Sequence, residues 1–419
     1  MRWRAESCVK EWGMSALSPL GVYISVPFCR AKCSFCNFAS GVASSERIAG
    51  YVHTLCAEID AAPAIASRLG AELPQVVDTV YFGGGTPSLL APEQMQAIFA
   101  ALRRSFEVRE DAEITMEAAP GQIADEALAE AMRLGVNRVS LGVQSFVDRE
   151  SAAVGRTHTG ASCRAEIARL QAAGISDVGV DLIAGLPYQT AESWRESLEA
   201  AVAAGLTHLS VYMLEVDQDS RLGLEVLAGG VRYHAHGVPS DEVSAALYEQ
   251  ACEFLTGTEF RQYEISNFAR EGWQSRHNRK YWERKPYFGF GLDAHSMLAE
   301  ERPRSRAQGS EGAVRFANPD ELRDYGAGAW GGSAVRVGED EAFEESVFLG
   351  LRLSEGVEVA TLRERFGDER VSACEADVRD MVEGGLMESR DGRWRLTLRG
   401  RMVSSEVFGR LLEARVVAV

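Results

Sequence analysis

Six short β-branched runs alternate with Ala-, Leu- and Glu-rich stretches over the first half of the chain, and no other feature limits the fold as much. The runs are 22–26 (VYISV), 76–82 (VVDTVYF), 112–117 (AEITME), 138–143 (RVSLGV), 177–183 (DVGVDLI) and 208–214 (HLSVYML). Between them lie helical patterns such as SERIAGYVHTLCAEIDAA, APEQMQAIFAALRRSF and CRAEIARLQAAG, several closing on the glycine that a helix C-terminus favours. Six βα units in a row imply a parallel sheet, because parallel neighbours need a crossover that a helix supplies. Six is short of the eight of a closed barrel. The expected fold is therefore α/β, an open partial (β/α)6 barrel over 21–216, with a doubly wound sheet as the alternative.

Beyond 216 the rhythm breaks. A loop-rich excursion leads to an Ala/Glu helix at 241–256, a strand of alternating character (FRQYEISNF) and an aromatic-rich block at 273–296. The segment AEERPRSRAQGSEGAV is polar and rich in breakers, and reads as a solvated hairpin or loop. These residues, 217–340, form an α+β extension. From 341 to 419 the order is helix, helix, β-wing, helix, which is winged-helix-like. A formal net charge of −17 makes this unit a packing module rather than a nucleic-acid reader, since phosphate-backbone binding needs a basic footprint.

No apolar run reaches the roughly 18 residues of a membrane span. Residues 1–20 read as an N-terminal extension without the apolar core of a secretory signal, and Met14 is an alternative start. A cytoplasmic protein is expected. Of eight cysteines, five are scattered, and Cys29, Cys33 and Cys36 fall together in PFCRAKCSFCNF. Clustered thiols in a chain of 419 residues point to metal in a reducing compartment rather than to disulfides. Structural zinc wants four ligands, usually two Cys-x2-Cys knuckles, and no second knuckle exists. Three thiolates suit an iron–sulfur cube, in which each binds a different iron and the fourth iron stays open for chemistry.

This loop resembles the signature of the radical S-adenosylmethionine superfamily. More closely, YISVPFCRAKCSFCNF is similar to the oxygen-independent coproporphyrinogen III oxidase family and its HemW-type haem-chaperone branch, a likeness running from about Val22 to the C-terminus. The resemblance implies a 4Fe-4S cluster on the three cysteines and S-adenosyl-L-methionine chelating the open iron. An electron passed to its sulfonium can release a 5′-deoxyadenosyl radical.

YFGGGTPSLL ends the second strand. Glycine weakens a strand by about 0.5–1 kcal/mol relative to alanine, so Gly83, Gly84 and Gly85 suggest close approach of a ligand to the backbone. The resemblance assigns Gly84, Gly85 and Thr86 to the methionyl end of the cofactor. Glu117, Gln144, Asp181 and Glu215 close later strands, where a charge costs several kcal/mol unless paired or solvated, and where barrels build their sites. Arg156 is a candidate partner for them. By resemblance, Tyr23, Phe35, Glu117, Gln144, Arg156 and Asp181 match family positions around the adenosyl and methionyl groups.

SRHNRKYWERKPYFGFGLDAHS carries a second constellation. If 275–284 is helical, His277 and Tyr281 share a face one turn apart, with Trp282 beside them. Composition alone favours a packed aromatic cluster around a hydrogen-bonded histidine. The resemblance instead identifies His277, Asn278, Tyr281 and Trp282 with the motif associated with haem binding in the HemW branch. It implies haem as ligand, a haem-acceptor protein, and an electron donor such as flavodoxin or ferredoxin. Two departures separate the chain from the decarboxylases of the family: Phe38 stands where they carry a further cysteine, and Ser25 where they carry a histidine. A haem chaperone is therefore expected; coproporphyrinogen decarboxylation and radical methyl transfer or cyclopropanation are the alternatives.

Overall fold

Strands β1 (Leu20–Val26), β2 (Val76–Gly84), β3 (Glu107–Ala118), β4 (Arg138–Gln144), β5 (Asp177–Ala184) and β6 (His208–Met213) pair in chain order, every pair parallel. This comes from a computed structural model that describes residues 18–301 and 312–416. The crossovers contain helices Ser45–Leu69, Pro92–Ser105, Asp125–Leu134, Gly160–Ala173 and Ala191–Ala203. Their ends follow from local sequence. Ser44, Thr159 and Thr190 accept the backbone N–H of Arg47, Ser162 and Ser193, satisfying first-turn donors. Gly135 and Gly174 stand at C-caps, as expected, and Gly70 closes the first helix, which runs on past the SERIAGYVHTLCAEIDAA stretch.

The sheet continues past six strands. β7 (Arg261–Gln262) and β8 (Asn267–Ala269) form a hairpin that adds antiparallel to β6, so FRQYEISNF is two short strands and a turn rather than one strand. β9 (Tyr287–Phe290) pairs parallel with β1 at the other side and makes a seventh parallel strand. β10 (His295–Ala299), β11 (Ala313–Ala317) and β12 (Ser333–Val337) extend it antiparallel, completing twelve strands. Much of the polar segment between β10 and β11, residues 302–311, lies outside the described residues, as do Met14 and Cys8. The excursion after β6 is more ordered than its composition suggests: it holds helix Arg221–Leu227 and a 3-10 turn, Arg232–Gly237.

Alternation along the strands puts Val80, Phe82, Val139 and Leu141 in the apolar core and turns their neighbours into the barrel. The lower interior is polar and paired, as buried polar groups must be. Arg138 Nη1 meets Asp177 Oδ2 at 2.7 Å, Thr207 Oγ1 donates to Asp177 Oδ1 at 2.7 Å, and His208 Nε2 lies 2.8 Å from Tyr263 Oη.

Helices Glu339–Arg352, Val359–Phe366 and Asp368–Glu383 precede a wing of β14 (Met387–Arg390) and β15 (Arg393–Leu396), to which β13 (Val357–Glu358) adds; helix Ser404–Val416 follows. The winged-helix-like order is thus present. Its core runs into Met297, Ala313 and Val337 of the antiparallel strands. Glu345 of this unit binds Arg284 at 2.7 Å and Arg315 at 3.0 Å. No helix among the described residues is long and apolar enough to cross a membrane.

Candidate functional site

The cysteine loop leaves β1 at the C-terminal mouth of the sheet and is tied down from several sides. Cys29 N–H donates to Gly41 O at 3.0 Å, Ser34 N–H to Val154 O at 3.2 Å, and Leu222 N–H to Ser34 O at 2.8 Å. Arg221 donates to the carbonyls of Lys32 and Cys33. Asn37 Nδ2 reaches Asp217 Oδ2 at 3.0 Å. The excursion after β6 therefore straps the loop. Phe35 packs with Val154, Ile183, Leu186 and Leu222, which anchors the centre of the loop by apolar burial.

Behind the loop lies a cavity of about 840 Å³. Cys29, Cys33, Phe35 and Cys36 line one wall; Gly84, Gly85 and Thr86 at the end of β2 line another. Glu117, Gln144, Arg156 and Asp181, from the mouths of β3, β4 and β5 and the following loop, complete it. These predicted residues, far apart in sequence, thus meet around one space. Tyr23 does not line it; it faces a neighbouring cavity that shares Gly84 and Phe38 with the first.

Charge in this cavity is poised rather than neutralised. Burial pushes the Glu117 carboxyl up to about 7 and Asp181 adds to the shift, while the Tyr81 hydroxyl and the Gly84 N–H oppose it. Tyr81 Oη donates to Glu117 Oε1 at 2.8 Å. Burial likewise raises Asp181, which accepts from Ser140 Oγ at 3.3 Å. Burial raises the Cys33 thiol, and the Arg156 and Arg221 guanidiniums pull it back towards thiolate. Gln144 sits at φ 66° beside a register shift in β4. A non-glycine residue there is strained, and such strain gathers at sites that need a side chain aimed against the backbone's preference.

The residues present fit an iron–sulfur cluster and a zwitterionic, charged ligand. The three loop thiols are free. Among the described residues no three His, Cys, Asp or Glu side chains gather around a single-ion position. Ligands to separate irons of one cluster need no such convergence. Arg156 Nη2 donates to Gly142 O at 2.9 Å, but its Nε is buried without a partner, a donor left for a ligand. A Cβ on Gly85 would lie 2.7 Å from the backbone N and O of Phe28 and from Val26 O, so only glycine lets β2 close on the cysteine loop.

The HNRKYW segment forms helix Arg276–Trp282, which plugs the lower barrel. The Glu113 carboxylate of β3 caps its N-terminus, accepting from Arg276 N at 2.8 Å and His277 N at 2.9 Å, where the helix dipole favours negative charge. His277 is 1% exposed. Its Nδ1 is 2.9 Å from Thr79 Oγ1 and its Nε2 2.8 Å from Tyr281 Oη. Burial lowers its pKa to about 3, with Lys280 acting the same way. This is the packed, hydrogen-bonded histidine that composition favours. Asn278 N–H donates to Ser275 Oγ at 3.2 Å, and Trp282 lies under the Arg352 guanidinium at 4.1 Å. Of the four motif residues, Tyr281 alone lines a described cavity, the smaller one. The plug touches the larger cavity indirectly: His277 stacks on Tyr81 at 5.3 Å, and Tyr81 holds Glu117.

Sequence reasoning missed several cavity residues, among them Ser140, His158 and Tyr212. Ser140 and Tyr212 are two-residue steps along strands already assigned, so period-2 alternation could have found them. His158 lies two residues past Arg156 in a loop, and its Nε2 is 2.9 Å from Val143 O; no local pattern marks it.

A model of the Radical SAM superfamily matches residues 23–201, and one of the HemN C-terminal domain matches 337–403. The chain is 36% identical over 355 residues to the haem chaperone HemW of Synechocystis sp., covering 83% of this chain and 81% of that protein. It is 31% identical over 396 residues to haem chaperone HemW of Bacillus subtilis, covering 93% and 98%. It is 32% identical over 347 residues to the mitochondrial radical S-adenosyl methionine domain-containing protein 1 of Mus musculus, covering 82% and 75%. Among solved structures, coproporphyrinogen III oxidase (HemN) from Escherichia coli, a radical SAM enzyme, aligns with a TM-score of 0.76 at 21% identity over 95% of this chain and 91% of that one. That last likeness is one of fold.

Proposed function

The chain belongs to the HemW family of the radical SAM superfamily, and from that premise we propose that it binds haem as cargo and delivers it to an acceptor protein. The observation that carries this reading is full-length similarity, over 93% of this chain and 98% of the relative, to a protein named a haem chaperone. Cys29, Cys33 and Cys36 would hold a 4Fe-4S cluster, and the adjoining cavity S-adenosyl-L-methionine. When bound, the cluster supplies an electron to the sulfonium.

The chain's own groups divide the remaining work. Gly84, Gly85 and Thr86 present backbone to the methionyl end, and the Glu117 carboxylate offers an acceptor for its amino N–H. Gln144, Arg156 and Asp181 face the rest of the cofactor, with the free Arg156 Nε as donor. Phe35 excludes water from the loop, and Tyr23 backs Tyr81, ring centroids 6.1 Å apart. The electron donor is a small carrier such as flavodoxin or ferredoxin, and the setting is cytoplasmic. The acidic chain takes no nucleic-acid partner.

Phe38 bears on the choice between chaperone and oxidase. It occupies the place of the decarboxylases' further cysteine and is 60% exposed at the cavity mouth. Reduced, cluster-loaded protein given S-adenosylmethionine and coproporphyrinogen is expected to release no carbon dioxide. Stoichiometric release with 5′-deoxyadenosine would overturn the proposal in favour of the oxidase.

A further inference from the structure

A haem carrier needs an iron ligand within reach of solvent, and His277, the motif histidine, is buried with both ring nitrogens engaged. The chain has seven histidines, and each can be placed. His208 is buried against Tyr263. His158 belongs to the larger cavity, with Nε2 on Val143 O. His53 lies on helix Ser45–Leu69 and lines neither described cavity. His234 and His236 share the Tyr188 hydroxyl at 2.8 and 3.2 Å and also line neither. His295 remains.

β9 runs parallel to β1, so the turn that follows it, Gly291 to Ala294, opens at the same mouth as the cysteine loop. There a second cavity of about 350 Å³ adjoins the first. Its walls are aromatic and apolar: Tyr23, Tyr281, Tyr287, Leu292 and Phe38. His295 and Asp293 stand on its rim, the imidazole 71% exposed. A carboxylate oxygen of Asp293 lies 3.9 Å from His295 Nε2. Flat aromatic walls with one convergent basic nitrogen suit a flat, apolar, metal-bearing ligand.

The turn that leads into His295 is held more firmly than a surface turn requires. Gly291 N–H donates to Glu58 Oε2 at 2.9 Å and Leu292 N–H to Tyr51 Oη at 2.9 Å. Asp293 N–H donates to Pro319 O at 2.9 Å, and Asn318 Nδ2 to Gly291 O at 2.8 Å. A Cβ at Gly291 would sit 2.5 Å from Tyr51 Oη and 2.7 Å from Ser25 O, so the turn is seated against β1 itself. Asp293 is kept at φ 55°. Positive φ in a non-glycine residue persists where surroundings over-determine it, which is how a scaffold fixes a functional side chain.

We propose that His295 is the axial ligand to the iron of bound haem, with the macrocycle against Tyr281, Tyr287 and Phe38. The inference rests on the haem-carrier reading and refines it. It also gives the HNRKYW helix a part: His277 holds the hydroxyl of Tyr281, and Tyr281 forms the wall.

The test is a titration of ferric haem into anaerobically purified, cluster-loaded protein, followed by absorbance and electron paramagnetic resonance. His295→Ala is expected to shift the Soret band and weaken binding at least about tenfold, and added imidazole to restore the band position. His295→Gln serves as a second variant should the alanine form fold poorly. The pair His234→Ala/His236→Ala is expected to leave band and affinity unchanged. Retention of the wild-type Soret band and affinity in His295→Ala, or their loss in the His234/His236 pair, overturns the assignment while leaving the haem-carrier reading intact. Failure of the wild-type protein to take up haem overturns both.

Discussion

Glu117→Gln is the substitution that most sharply probes how the larger cavity meets a cationic ligand. Burial and Asp181 push the Glu117 carboxyl from 4.5 up to about 7. S-adenosylmethionine brings a cationic sulfonium and an amino group whose N–H can donate, so the carboxylate form binds it better than the neutral acid. At pH 8 about nine-tenths of the sites are ionised, and at pH 6 about one-tenth, so affinity should fall roughly tenfold between them, or ~1.4 kcal/mol. Calorimetric titration of cluster-loaded protein under anaerobic conditions reads this directly. Glu117→Gln should flatten the slope, with an affinity at pH 8 no higher than that of the wild type at pH 6. The same linkage acts on stability. Because the folded pKa is raised, the native state holds a proton that the unfolded chain has lost between 4.5 and about 7. The wild-type contribution is therefore full below the lower value and declines as pH rises through the upper one, a decline that the variant should lack. An undiminished pH slope of affinity in Glu117→Gln would refute the reasoning.

Further outcomes follow from the same geometry. Cys33→Ser should abolish the broad cluster absorbance and lower bound iron, measured after reconstitution, because a hydroxyl is a poor substitute for a thiolate on iron. Gly85→Ala sets a methyl 2.7 Å from three backbone atoms that have no rotamer to escape into, so cluster content and melting temperature should both fall. His277→Ala strips partners from the buried Thr79 and Tyr281 hydroxyls and should cost about 1–3 kcal/mol in denaturant unfolding, with the Soret position of any haem complex unchanged.

The cysteine loop, the GGGTP turn and the strand-end carboxylates were legible because each is a local deviation from what a strand or turn needs. Their convergence followed once six parallel strands were recognised, since the C-terminal ends of such strands share one mouth. β9 escaped because Tyr287–Phe290 is four residues long and embedded in an aromatic block that carries no period. With β9 unrecognised, the turn after it could not be placed at the mouth, and His295 read as one more polar residue. The HNRKYW helix shows the reverse limit. Its i, i+4 face was visible, but whether His277 points into the barrel or out to solvent depends on Thr79 and Glu113, 198 and 164 positions away in the chain. Side-chain direction of that kind is fixed by tertiary packing and has no local signature.

The central claim, that this chain carries haem, is tested most directly by offering ferric haem to the anaerobically purified protein and passing the mixture through size exclusion. The account predicts one haem per chain, co-eluting with a defined Soret band and with cluster iron retained. Haem that elutes free of the protein, with no Soret band on the protein peak, would contradict it.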